Sequence, residues 1–190
     1  IPAQYAKNNW SQNFLTWIEQ QAAKDELLAD TLLLMLEQMK LLRQMLVKTE
    51  RKLRELRNGK YAVKVKLATS VPGIGATTAM QFLLEAGDIN RFKGFDALND
   101  FIGFCPDTDS SGETDRDRGI TTRRHKQLRS ALIESAWQAI RVDPALLNSY
   151  QELTKRMKGV HAIIRIARKL LRRLRAVLLT GIPYQKGVVA

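Results

Sequence analysis

Between Leu28 and Leu56 apolar residues recur at alternating steps of four and three: Leu28, Leu32, Met35, Met39, Leu42, Leu46, then a polar Thr49, then Leu53 and Leu56. A helix gathers residues at that spacing on one face, and the alternation is the seam of a coiled coil. At ~1.5 Å rise per residue the segment is a rod of about 43 Å. A rod with a seam and flanking leucines needs a partner. The partner is either a second chain in an intermolecular coiled coil or the preceding helix in an antiparallel hairpin. That preceding helix is marked by Trp10, Phe14, Trp17 and Ile18, spaced i, i+4, i+7, i+8. Asn58-Gly59 is a stop signal. Residues 1–58 thus read as a helical, coiled-coil oligomerisation region and 59–190 as a second domain.

In the second domain the alternation Val63, Lys64, Val65, Lys66, Leu67 suits a strand or a helix. The sharp turn Val71-Pro72-Gly73-Ile74-Gly75 and the helix-compatible Ala76–Ala86, closed by Gly87, favour helix. Asp96–Phe101 reads as a short helix and Phe104–Thr122 as loop. Helix resumes near Thr122 and runs to about Val142, burying Leu128, Leu132, Ala136 and either Ile140 or Ala139. Asp143-Pro144 is a cap and a first-turn proline. The next helix is expected to end at Gly159, and the last to run from about Val160 to Thr180, ended by Gly181 and Pro183. No strand is strongly signalled, so the expected fold is all-α: a long coiled-coil-like helix or helical hairpin, then a helical domain.

Composition narrows the function. Of the 190 residues, 31 are Lys or Arg and 19 Asp or Glu, a net charge of +12. Residues 151–190 carry ten of those cations and one acid, Glu152, which is nine of the twelve net charges. Such an excess points to a polyanion, nucleic acid before an acidic membrane surface. The hydrophobic share of 45% is too high for a disordered chain. No apolar run is long enough to span a bilayer. One cysteine, Cys105, excludes an intramolecular disulfide and a cysteine-based zinc site, and His125 and His161 leave little for a histidine metal centre. The chain opens on Ile1 without a secretory leader, which suggests a piece of a longer cytoplasmic protein.

Three motifs carry chemistry. Hydrophobic-Pro-Gly-Ile-Gly between two helices is a helix-hairpin-helix pattern, here at about 66–86. Gly73, Ile74 and Gly75 allow a tight turn close to a phosphate, and the amides after Gly75 start a helix whose dipole favours an anion. Thr77 or Thr78 adds a hydroxyl. The plainer alternative is an αα-hairpin turn. On the last helix Arg165, Arg168, Lys169, Arg172, Arg173 and Arg175 fall on one arc, opposite Ile163, Ile166, Leu170 and Leu174. Such a face neutralises phosphates, or else is only solvated or lies on a membrane surface. Asp109-Ser110-Ser111-Gly112-Glu113 sits in a basic loop with Arg116, Arg118, Arg123, Arg124, Lys126 and Arg129. A serine attacks a phosphate when its proton is removed and the phosphate is neutralised; Ser-Ser-Gly is otherwise an ordinary turn.

These motifs occur in a recognisable order. Leu67…Val71-Pro72-Gly73-Ile74-Gly75…Thr78-Ala79, Leu84-Glu85-Ala86-Gly87-Asp88-Ile89, Gly103-Phe104-Cys105-Pro106…Ser110-Ser111-Gly112 and Gly119-Ile120-Thr121…Leu128-Arg129…Leu132-Ile133-Glu134-Ser135-Ala136-Trp137 resemble the C-terminal domain of IS-one-ten-family insertion-sequence transposases. So does Ala162-Ile163-Ile164-Arg165-Ile166-Ala167-Arg168-Lys169. The resemblance covers about residues 60–185. It implies a DNA recombinase guided by a structured RNA. The nucleophile it implies is a serine falling on Ser110 or Ser111, with Ser110 favoured by its distance from Pro106. It also implies a homo-oligomer, dimer or tetramer, assembled through the coiled coil, and a bacterial, cytoplasmic, nucleoid-associated location without membrane contact. Four acidic ligands for a divalent metal (Mg) are expected on an N-terminal RuvC-like domain outside these residues, and no cofactor within them. The chain departs from the family pattern at Glu113, where a second glycine is frequent, and at Arg124-His125, where Gly-Asn is usual. The competing expectations are a non-enzymatic helix-hairpin-helix DNA-binding module and a purely structural coiled-coil protein.

Overall fold

The computed structural model of the chain describes residues 10–22, 24, 26–111, 114–120 and 125–186; for 26–28, 106–111 and 114–120 it describes the backbone path alone. The fold is all-α, with a single two-stranded hairpin among the described residues. In chain order the elements are α1 (Gln12–Ala22), α2 (Glu26–Asn58), α3 (Ala62–Ser70), α4 (Ala76–Ala86), α5 (Phe95–Ile102), β1 (Pro106–Ser111), β2 (Thr114–Ile120), α6 (Lys126–Val142), α7 (Pro144–Thr154) and α8 (Gly159–Thr180). The chain divides into two compact units, Ile1–Glu55 and Leu56–Ala190.

In the first unit α1 is tied to α2 by the Lys40–Glu19 ion pair and by Arg43, which donates to the Trp10 carbonyl at 2.8 Å. The Ser11 hydroxyl accepts from the Phe14 amide at 3.3 Å and caps α1. Phe14, Leu15, Ala22 and Leu36 are buried. Trp10 is 66% exposed rather than on the buried face, because α1 begins at Gln12 and Trp10 lies before it. The expected seam is open: Met35, Leu42 and Leu46 are all exposed.

The second unit is built around α8. Ala162, Ile163, Ile166, Ala167, Leu170, Leu171 and Leu174 are all buried, covered by α3, α5, α6 and α7. Each large aliphatic side chain taken from water stabilises the unit by about 1.5–3 kcal/mol. The Asp143 carboxylate accepts from the amides of Ala145 (2.9 Å) and Leu146 (3.3 Å), with Pro144 at the first helical position, as the Asp-Pro signal predicts.

Three sequence expectations need correction. Phe104–Thr122 is not loop throughout: Pro106–Ser111 and Thr114–Ile120 pair antiparallel, with an irregularity between Pro106 and Thr108. Asp107, Asp109, Asp115 and Asp117 hid the strands, since aspartate is depleted in sheets and leaves no apolar alternation to read. The helix expected from near Thr122 begins at Lys126, because His125 has ψ 76° and is not helical. Finally α7 ends at Thr154, and Gly159 opens α8 instead of closing α7. A Cβ on Gly159 would lie 2.8 Å from the Tyr150 hydroxyl, so a larger residue there would have to displace the tip of that side chain.

Candidate nucleic-acid interface

The turn between α3 and α4 is set by contact with α6. Gly73 has φ +79°, and a Cβ on it would lie 2.1 Å from the Ser135 carbonyl oxygen and 2.8 Å from the Ala139 nitrogen. Only glycine tolerates both the left-handed backbone and that approach. Val71, Pro72 and Ile74 are buried beside it. Gly73 and Ile74 therefore hold the turn on α6. Gly75 is different: it is exposed, extended (φ −81°, ψ 168°) and has open space around it. No side chain caps α4, Thr77 is exposed and Thr78 half-buried. That helix start presents uncapped amides, which favour an anion.

The hairpin emerges at the other end of α4. His125 Nδ1 lies 3.0 Å from Glu85 Oε2 near the end of α4, and the His125 ring packs on Phe101 with centroids 4.2 Å apart. The Arg129 guanidinium donates to the Gly103 carbonyl at 3.1 Å, and the Asn99 amide donates to Cys105 Sγ at 3.1 Å. These contacts fix the base from which β1 leaves and to which β2 returns. Ser110 and Ser111 end β1, Cα partners of Asp115 and Thr114; Arg116 on β2 is the partner of Asp109, and Arg118 follows. Lys126 is exposed at the start of α6. Arg123 and Arg124 lie outside the described residues. The Gly73 turn meets α6 at Ser135 and Ala139, whereas Glu85 meets it at His125. Turn and hairpin base thus sit at opposite ends of one α4–α6 pair, about 15 Å apart at ~1.5 Å per helical residue.

The arginines of α8 split into two sets. Arg165, Lys169 and Arg172 are exposed and Arg168 half-exposed; with Phe95 and Leu153 they line a cavity of about 230 Å³ between α5, α7 and α8. The Arg172 guanidinium lies over the Phe95 ring at 4.6 Å, and Lys169 donates to the Ser149 hydroxyl at 2.9 Å. Among the described residues no carboxylate pairs with any of these four cations. Arg173, expected on the same face, pairs with the buried Asp143 at 2.9 Å and lies over the Tyr184 ring at 4.9 Å. Arg175 donates to the Phe92 carbonyl at 3.4 Å. These two arginines brace the fold.

Burial would raise the Asp143 carboxyl. The Tyr184 hydroxyl, the Leu146 amide, Arg173 and the Ala145 amide outweigh burial and hold it below the usual range. Tyr184 completes a strap: its hydroxyl donates to Asp143 at 2.8 Å and its amide to the Ser70 hydroxyl at 2.8 Å, at the end of α3. Sequence reasoning missed Phe95, Leu153 and Tyr184, none of which belongs to a motif. Among the described residues no cluster of three His, Cys, Asp or Glu could hold a metal ion, and no helix is long and apolar enough to cross a membrane.

Comparison with known proteins adds a family. Residues 65–151 match the family described as "Transposase IS116/IS110/IS902 family". Over 123 residues the chain is 32% identical to the "Insertion element IS110 uncharacterized 43.6 kDa protein" of Streptomyces coelicolor, a match covering 64% of this chain and 30% of that protein. It is 38% identical over 72 residues to the "Transposase for insertion sequence element IS1111A" of Coxiella burnetii, covering 38% and 20%. It is 31% identical over 131 residues to the "Pilin gene-inverting protein" of Moraxella bovis, covering 66% and 40%. The chain therefore spans 20% to 40% of the length of these relatives.

Proposed function

We propose, from a chain that belongs through residues 65–151 to the IS116/IS110/IS902 transposase family, that it is the part of a DNA recombinase that grips DNA and supplies a serine nucleophile. The observation that carries this reading is the α4–α6 pair, with an uncapped helix start at one end and the serine-bearing hairpin at the other. Read as a helix-hairpin-helix, the α3–α4 turn holds one phosphate at the amides after Gly75 and at Thr77. The helix start and the hairpin base are about 15 Å apart, roughly four nucleotide rises of B-form DNA, and Ser110 lies about four strand residues further out along β1.

At the hairpin the Ser110 oxygen attacks phosphorus. A serine–phosphate ester forms as the bond from phosphorus to the leaving sugar oxygen breaks, and the serine proton ends on that oxygen. Arg116, Arg118, Arg123, Arg124 and Lys126 stabilise charge developing on the phosphoryl oxygens. The phosphate grip reads no base, so sequence choice is assigned to a guide RNA. Magnesium bound to acidic ligands of a further domain would assist the serine. The exposed α2 seam pairs with α2 of a second copy.

The test uses the complete transposase with magnesium, guide RNA and target DNA, trapping a covalent protein–DNA adduct. Ser110→Ala is expected to abolish it. If both Ser110→Ala and Ser111→Ala leave the adduct intact, the enzyme reading fails and a non-enzymatic DNA-binding module remains.

A further inference from the structure

We infer that the cavity between α5, α7 and α8 is a binding site for a single, unpaired nucleic-acid strand, distinct from the α4 helix start and the hairpin. The inference rests on the chain being a nucleic-acid-handling protein, and it names which form of nucleic acid this face takes.

Charge selects a polyanion. Four cations line one recess, and no described carboxylate is paired with any of them. The walls then select among polyanions. A site for phosphate alone needs no aromatic ring, yet Phe95 and Leu153 form apolar walls and the Arg172 guanidinium lies over the Phe95 ring at 4.6 Å. An arginine plane backed by an aromatic ring is a stacking platform for a nucleobase. In a duplex the bases are stacked on one another inside the helix, and their faces cannot enter a recess. A single strand exposes those faces, and basic grooves with aromatic platforms are how proteins hold it. The size agrees: the open recess, about 230 Å³, has room for one base and its neighbouring phosphates.

The spacing agrees as well. Arg165, Arg168 and Arg172 are one helical turn apart in succession, and the set extends over about 10.5 Å of α8 at ~1.5 Å per residue. That is about three nucleotide rises at ~3.4 Å each. Lys169 is held beside them by Ser149. In this site Arg165, Arg168 and Lys169 hold successive phosphates while the Arg172 guanidinium, backed by Phe95, stacks on the base.

The experiment measures binding of the 190-residue chain to a mixed-sequence DNA strand of about 12 nucleotides, to the same sequence as RNA, and to the corresponding DNA duplex. Fluorescence anisotropy is read between about 50 and about 200 mM salt. Phe95→Leu is expected to weaken strand binding about tenfold and to leave duplex binding unchanged. Replacing Arg165, Arg168 and Lys169 by Gln should lower the log–log salt slope for the strand by about 2, at ~0.7 per phosphate contact.

Arg172→Lys keeps the charge, removes the flat guanidinium, and lies on an exposed face where folding is not at stake. It should retain the salt slope and lose the preference for strand over duplex. An Arg172→Lys protein with unchanged strand preference, or a Phe95→Leu protein weakened equally for strand and duplex, overturns the site. The DNA and RNA arms identify which strand occupies it. Ser110→Ala must leave strand binding intact, so loss of the adduct and loss of this site are separately visible.

Discussion

The two longest helices, α2 and α8, carry the same kind of pattern and meet opposite fates. In α2, Leu42 and Leu46 are 63% and 58% exposed, while in α8 Leu170, Leu171 and Leu174 are wholly buried. Apolar periodicity specifies a helix and a face; it does not say what covers the face. Around α8 the chain folds α3, α5, α6 and α7 as cover. Among the described residues of its own unit α2 has only α1, which shields Leu36 and leaves the later leucines exposed. The α8 face is covered within one chain, whereas the later leucines of α2 are covered by no described residue.

The contrast can be broken from the covered side first. Gly73→Ala puts a methyl 2.1 Å from the Ser135 carbonyl on a left-handed backbone. The expected loss is about 4 kcal/mol or more, combining strain with overpacking, measured by urea denaturation monitored at 222 nm. A loss under ~1 kcal/mol would mean that the turn is not anchored on α6. Leu170→Ala should cost about 3–4 kcal/mol by opening a cavity in the middle of the unit, read in the same assay.

Asp143→Asn removes one partner of a partly exposed ion pair and should cost about 1–3 kcal/mol near neutral pH. It also changes the acid response. Folding holds the Asp143 carboxyl below its unfolded value of about 3.9, so its contribution is complete above that value and lost as pH falls through the folded one. Melting temperatures between about pH 5 and 2 should fall less steeply in Asp143→Asn than in the parent. Parallel curves would remove Asp143 from the account of acid sensitivity.

The smallest effect belongs to the open side. Leu42→Ala should change the stability of the dilute chain by less than ~0.5 kcal/mol, while lowering the association constant seen by sedimentation at high concentration. A large loss in the dilute monomer would mean that the seam is already covered within one chain.

Much of this was readable in the residues, and the failures have physical causes. The α3–turn–α4 unit is legible because Pro72, Gly73 and Gly75 restrict the backbone whatever surrounds them. The distinct jobs of the two glycines are not, because Gly73's neighbour is α6, 62 residues away in sequence at Ser135. The hairpin escaped notice because its ladder is made by main chain under polar and acidic side chains. A helical wheel gave α8 one basic arc. It could not separate Arg165, Arg168, Lys169 and Arg172 from Arg173 and Arg175, whose partners Asp143 and Phe92 come from other elements. The cavity walls Phe95 and Leu153 are single apolar residues, which only the tertiary fold brings to the cations.

The strap formed by Tyr184 gives the molecule a direction in time. Ser70 and Asp143 leave the ribosome well before Tyr184, so the link between α3 and the α6–α7 corner closes only after residue 184 has been made. A product cut short at Gly181 has every described helix, yet it lacks the tyrosine that joins those two points. Copies that stop before Tyr184 should be looser and more readily proteolysed around residue 70 than copies that include it.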